Sequence, residues 1–266
     1  MSNLLAADLP AADLPAGDRA ARPLAGRHAL VTGATRGIGR ATALALAAAG
    51  AHVVAVGRTS GALEELDDAI VTAGSTATLV PLDIKDGEGV DRLGGALYER
   101  FGKLDIFVGN AGILGPMTPL AQVDPKEWDD TLAVNLTANW RLIRSLDPLL
   151  RLSTAGRAVM ISSGAAHKAR AFWGAYAVTK AGVEVLARTW AAEVANISSL
   201  KVNLINPGPV RTRMRAKAFP GEDPNTLPAP EQVAQAILAL CLPSFNETGR
   251  LYDFPQGKLL NYTLPG

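Results

Sequence analysis

Thr32-Gly-Ala-Thr-Arg-Gly-Ile-Gly39 follows a short apolar run, His28–Thr32, and opens a helical pattern over Gly37–Ala49. Glycines at this loop let the backbone turn sharply and come close to a ligand. A helix N-terminus behind them offers unpaired N–H groups and the positive end of its dipole to an anion. The spacing is GxxxGxG rather than the GxGxxG of the usual dinucleotide fingerprint. Alone, such a cluster marks only a tight turn. Placed between a first strand and a first helix, it points to a pyrophosphate cradle.

Outward from this loop the same alternation continues. Apolar runs at His52–Gly57, Thr76–Leu82, Leu104–Gly109, Ala158–Ser162, Lys201–Asn206 and Arg250–Phe254 are near-continuous, as in strands buried on both faces. Helical patterns lie between them, at Ser60–Ala73, Gly87–Phe101, Pro125–Leu152, Phe172–Val194 and Pro230–Leu242. Alternation of this kind predicts right-handed βαβ units. The expected fold is α/β: one doubly wound (Rossmann) parallel sheet of about seven strands, helices on both faces, spanning 26–266. The irregular stretch Arg211–Ala229, with prolines at 220, 224 and 228, reads as a substrate lid. Residues 1–25 hold a tandem pentad, Ala6-Ala-Asp-Leu-Pro10 and Ala11-Ala-Asp-Leu-Pro15, and read as a disordered tail, with a docking arm as the alternative.

An acidic residue ~20 positions past the glycines would bind the ribose 2′-hydroxyl of NAD. The second strand instead ends Val56-Gly57-Arg58. Arg58 and Arg36 suit the 2′-phosphate of NADP, so NADP(H) is the expected cofactor, with NAD(H) as the secondary one. Two solvated surface arginines are the plain alternative. Asp83, closing the third strand, reads equally as an adenine contact or a solvent-facing loop residue.

Tyr176-Ala-Val-Thr-Lys180 puts a phenol and an ammonium on one helical face. A phenol near pKa 10 is a poor base at neutral pH, and a neighbouring cation lowers that value. It then serves as a general acid or base. With four tyrosines in the chain, a chance pair at this spacing has an expectation of about 0.12, so the pair alone does not separate a site from a surface couple. Ser163 ends the fifth apolar run, where an open parallel sheet binds ligands; by itself it reads as a helix cap.

These residues, with Gly109-Asn110-Ala111-Gly112, Val134-Asn135, Ile161-Ser-Ser163 and Asn206-Pro207-Gly208, resemble the short-chain dehydrogenase/reductase family over about residues 27–257. The resemblance implies Tyr176 as general acid/base and Lys180 as the group that binds the nicotinamide ribose and lowers the tyrosine pKa. It implies that Ser163 orients the substrate oxygen, and that Asn135 holds a water linking Lys180 to solvent. It also implies Asn110 as a brace beside the cofactor and Thr212 as a carboxamide contact. The full expected cofactor set is Gly33, Thr35, Arg36, Gly37, Ile38, Gly39, Arg58, Asp83, Ile84, Asn110, Ala111, Gly112, Tyr176, Lys180, Pro207, Gly208, Val210 and Thr212. Many members carry two asparagines where Gly109-Asn110 stands here, and Asp-Gly-Gly where Asp253-Phe-Pro-Gln-Gly257 stands. A narrower similarity, through Phe172-Trp-Gly-Ala-Tyr176 and the segment 206–220, is to bacterial short-chain oxidoreductases of unsettled substrate.

Composition narrows the classes. Net charge is +1, which gives no support to a nucleic-acid or acidic-membrane partner. No run reaches the ~18 apolar residues of a membrane span. Cys241 is the single cysteine, in an apolar run, and reads as core in a reducing, cytoplasmic compartment. The three histidines are scattered, so no metal site is expected. Phe172, Trp173 and Met214 read as pocket wall or as packing. Arg211, Arg213, Arg215 and Lys217 read as an attractor for anions or as a solvated helix face. The function expected is hydride transfer to or from a small-molecule carbonyl or alcohol. The alternatives are a 3-oxoacyl carrier-protein reductase and, in another class, a catalytically silent NADP-binding sensor. A homo-oligomer, dimer or tetramer, is expected.

Overall fold

The structure, a computed structural model, describes residues 22–262. The expected tail lies outside the described residues up to position 21. From Arg22 the chain is already docked: Leu24 is fully buried and its N–H donates to Ala49 O at 2.9 Å.

In chain order the elements are β1 His28–Thr32, α1 Gly37–Ala48, β2 His52–Gly57, α2 Ser60–Thr72, β3 Ala77–Pro81, α3 Gly87–Phe101, β4 Ile106–Gly109 and α4 Pro125–Leu132. A π turn, Ala133–Thr137, leads into α5 Ala138–Arg151. Then come β5 Arg157–Ile161, α6 Ala165–Lys168, α7 Gly174–Val194, β6 Lys201–Asn206, α8 Arg213–Ala218, α9 Pro230–Cys241, β7 Leu251–Asp253 and β8 Lys258–Leu260. The sheet runs β3-β2-β1-β4-β5-β6-β7-β8, parallel except for the antiparallel β7–β8 pair. This is the doubly wound fold expected, with eight strands rather than about seven. Gly257, at φ +64°, makes the tight return that adds β8.

Side chains alternate along each central strand into two separate cores. Leu30, Val54 and Phe107 enter the layer shared with α3, α5 and α7. Ala29, Val31, Val53, Ile106 and Val108 enter the layer under α1, α2 and α9. Burying both faces is what makes the strands read as unbroken apolar runs. Cys241 sits in the second layer, and burial pushes its thiol up to about 12, which removes it from redox or nucleophilic chemistry at neutral pH.

Two expectations need correction. The helix read over 125–152 is broken by the π turn, because periodicity cannot distinguish one wide turn inside a helix. The lid stretch is partly regular, holding α8 and a short 3₁₀ turn at Pro224–Thr226. Thr212 makes the first possible by accepting the Arg215 N–H at 3.2 Å as an N-cap.

Candidate active site

Strand order reverses between β1 and β4, and in such sheets ligands settle at that crevice beyond the strands' carboxyl ends. The loop 32–39 lies on one side of it. Gly33 and Gly37 hold φ of +63° and +53°, the left-handed region that favours glycine. At Gly39 a Cβ would stand 2.3 Å from both Gly33 O and Asn110 Nδ2, so only hydrogen fits. Arg36 provides no side-chain cap for α1, and the first turn holds no acidic residue. The free N–H groups and the dipole thus face the crevice with no competing anion, which fits a pyrophosphate. Ile38 packs on the core beneath, and Thr35 faces Gly57 at the end of β2.

Asn110 stitches the two sides together. Its Nδ2 donates to Thr32 O at 2.8 Å and Gly33 O at 3.2 Å. The N–H groups of Asn110 and Ala111 both donate to Thr32 Oγ1 at 3.1 Å. Thr32, fully buried, is a site-building residue that sequence reasoning passed over as an ordinary strand end. Beyond β2, Arg58 is exposed and lies 4.0 Å from Asp83, so Asp83 screens part of the charge assigned to the NADP phosphate. Arg36 is exposed too, and Ile84 is buried next to Asp83. From β6 the segment Pro207–Thr212 folds back across the loop. Val210 is buried, and Thr212 Cγ2 would meet a Cβ on Gly37 at 3.4 Å.

The residues expected to be catalytic gather at the end of β5. Asn206 Oδ1 accepts from the N–H groups of Gly164 (2.9 Å) and Gly208 (3.1 Å), so it joins the Ser163 turn to the β6 loop. Asp253 holds Asn206 Nδ2 at 3.1 Å and caps the following turn through Gln256 N–H. The altered 253–257 motif thus keeps its aspartate in a bracing position.

Tyr176 is almost fully buried, with Trp173 edge-on at 5.9 Å between ring centroids. Burial pushes its phenol above the ordinary value, while a hydrogen bond with Ser163 pulls the other way. The lysine was expected to lower this pKa. Desolvation instead dominates at the phenol, with Ser163 as the opposing partner, and burial brings Lys180 down to about 8. Lys180 Nζ lies 5.7 Å from the phenol ring centroid and donates to Ile161 O at 2.8 Å. Gly112 borders it: a Cβ there would lie 3.8 Å from Nζ.

Asn135 lies in the π turn, fully buried. Its side chain accepts from Ile113 N–H at 2.8 Å and donates to Ile113 O at 2.9 Å and Thr179 Oγ1 at 3.1 Å. Its carbonyl accepts from Asn139 Nδ2 at 2.7 Å. The side chain thus ties the β4 exit loop to α7 one residue before Lys180. Thr179 and Asn139 carried no sequence signal beyond their neighbours.

Among the described residues no cluster of three His, Cys, Asp or Glu is placed to hold a metal. No described helix is long and apolar enough to cross a membrane.

The family model for short chain dehydrogenases matches residues 27–223. The uncharacterized oxidoreductase YciK of Escherichia coli K12 is 37% identical over 233 residues, 86% of this chain and 92% of that protein. A short chain dehydrogenase from Pseudomonas syringae superposes with a TM-score of 0.85 at 39% identity, covering 88% of this chain and 96% of its own. One from Shigella flexneri 2a, complexed with NADP, gives 0.83 at 36% identity, covering 88% and 99%.

Proposed function

Because the chain belongs to the short-chain dehydrogenase family, an oxidoreductase family using NAD(P), we propose that it moves a hydride between NADP(H) and a small carbonyl or secondary alcohol. When bound, the nicotinamide supplies the hydride. Everything else is asked of the protein.

The observation that carries the reading is the convergence of the Tyr176 phenol and Ser163 hydroxyl at the end of β5, with a buried Lys180 behind them, beside a crevice shaped for a pyrophosphate. Ser163 orients the substrate oxygen, and Tyr176 exchanges a proton with it. With its phenol raised by burial, Tyr176 holds its proton at neutral pH and is ready to protonate a carbonyl oxygen. Lys180, near pKa 8, is mainly an ammonium there, suited to hydrogen-bond ribose hydroxyls and to steady a phenolate. Gly33, Gly37, Gly39 and the α1 N-terminus hold the pyrophosphate. Arg36 and Arg58 take the 2′-phosphate, which gives the NADP preference. Substrate enters under the 211–229 segment, where Phe219 lies 5.8 Å from Trp173.

Exposed Trp140 on α5, with Val178 and Val185 on α7, supports a homo-oligomer, and we assign a tetramer. Light scattering at micromolar concentration checks this. The lone buried thiol supports the cytoplasm as compartment.

The test is NADPH oxidation across aldehydes, ketones and acyl-carrier thioesters, run beside Tyr176→Phe. The variant should bind NADPH within about threefold of wild type and lose roughly 10²–10⁴-fold in turnover. Full activity in Tyr176→Phe refutes the mechanism. Turnover confined to acyl-carrier substrates selects the carrier-protein reductase. Tight NADPH binding with no turnover across the panel selects the silent sensor.

A further inference from the structure

Hydride transfer leaves unused a cluster beside the site. Glu184 lies on α7 one turn past Lys180 and two past Tyr176, with its side chain 4% exposed. A carboxylate at that depth is costly unless it is paired. Its partners come from separate elements. Ser162 Oγ, just beyond β5, donates to Oε1. His167 Nε2, from α6, lies 3.1 Å from Oε1 and 3.0 Å from Oε2, with the imidazole half exposed. The Tyr262 phenol, from the segment after β8, has its ionisation pushed upward by burial first and by the carboxylate second, but makes no hydrogen bond of ordinary geometry. Arg188, the next cation along α7, packs on the Tyr262 ring at 4.0 Å. Lys180 also feels this charge, which works against the burial lowering its pKa. The lysine's own anchor, the Ile161 carbonyl, belongs to the residue before Ser162.

We infer that Glu184 is a positioning residue for Lys180. Through Ser162 it fixes the strand end that carries the lysine's carbonyl partner, through His167 it holds the α6 turn, and its carboxylate lies one helical turn from the lysine. The carboxylate sits between hydroxyl and imidazole, so the cluster is not an arrangement in which the histidine activates the serine. The inference rests on Lys180 as the cation that binds the cofactor's ribose.

The experiment follows NADPH affinity by nicotinamide fluorescence from about pH 6 to 10 in wild type, Glu184→Gln and Glu184→Asp, with melting temperature as a check on folding. Wild-type affinity should break downward as Lys180 loses its proton. Glu184→Gln should move that break to lower pH by about one unit, and Glu184→Asp should restore most of it. If Glu184→Gln does not fold, Glu184→Asp carries the test as a smaller shift in the same direction. A break at the wild-type pH in folded Glu184→Gln, or no break in wild type, overturns the inference. A break that moves as expected while no carbonyl is reduced faults the hydride-transfer reading and leaves Glu184's role standing.

Discussion

Replacing Gly39 by alanine tests the cradle with one methyl group. The new Cβ would lie 2.3 Å from Gly33 O and from Asn110 Nδ2, about 1.1 Å inside the 3.4 Å at which ordinary contact begins. One of these atoms is backbone in the glycine loop. The other is the amide that bonds Thr32 O and Gly33 O. Neither moves without disturbing the loop proposed to hold the pyrophosphate. Overpacking of this kind costs roughly 1–3 kcal/mol. If the loop keeps its shape, the cost falls on stability, and the melting temperature drops by roughly 2–12 °C for a domain of this size. If the loop yields, the N–H groups shift, and the same energy raises the NADPH dissociation constant by about 5–150-fold. The two losses share one total, so both are measured, by thermal unfolding and by fluorescence titration with NADPH. Gly61→Ala is the control. Apart from its chain neighbours and its own helix backbone, no described atom lies within 4 Å of its Cβ position, and alanine is the better helix former, so stability should hold or rise and affinity should not change. Wild-type stability and affinity in Gly39→Ala, or an equal fall in Gly61→Ala, would refute the reasoning.

Arg58→Ala should weaken NADPH by about tenfold and leave NADH unchanged, since the loss is one charge-assisted contact; equal losses in parallel titrations would rule out a role on the 2′-phosphate. Asp105 is fully buried and accepts from His28 N–H, Ser153, Lys103 and Arg27, so Asp105→Asn should lower stability by about 2–4 kcal/mol in denaturant unfolding, and a change under 1 kcal/mol would show that those donors find other partners. His28 and His52 both have lowered pKa values, chiefly through burial, so the folded protein keeps them neutral where the unfolded chain takes up protons. Their contribution is complete above the unfolded value near 6.5 and is lost as pH falls toward the lower folded values. The melting temperature should therefore drop from pH 7 to 5, with a shallower slope in the double variant His28→Gln/His52→Gln; parallel slopes would count against it.

Much of the fold was legible because its physics is local. Strands buried on both faces carry unbroken apolar runs, so β1, β2 and β6 fall at the residues read for them. Asp86 as N-cap and Gly102 at φ +73° bound α3 by the usual signals. What escaped lacks such a signal. β8 is three residues long, held by pairing to β7 rather than by its own pattern. α8 is a basic segment next to prolines, whose helix depends on the Thr212 cap. In the site, the helix spacing put Tyr176 and Lys180 together, but the direction of the phenol's shift depends on burial, which spacing does not encode. Glu184 repeats the same four-residue step beyond Lys180, and that was the available clue. It reads as one more charge on a long helix until the strand end and the α6 turn are seen to close over it.

The π turn at Ala133–Thr137 also stores one residue of chain. In a continuous α-helix each residue advances about 100° around the axis. The wider i→i+5 turn takes one residue more for nearly the same rotation, so α4 and α5 keep their phase. Deleting a single residue within 133–137 would regularise the helix and leave Leu142 and Leu146 facing the core. Asn135 lies inside the turn, so it would be displaced from Ile113 and Thr179. The asparagine thus owes its place to one extra residue that the hydrophobic layer beneath does not register.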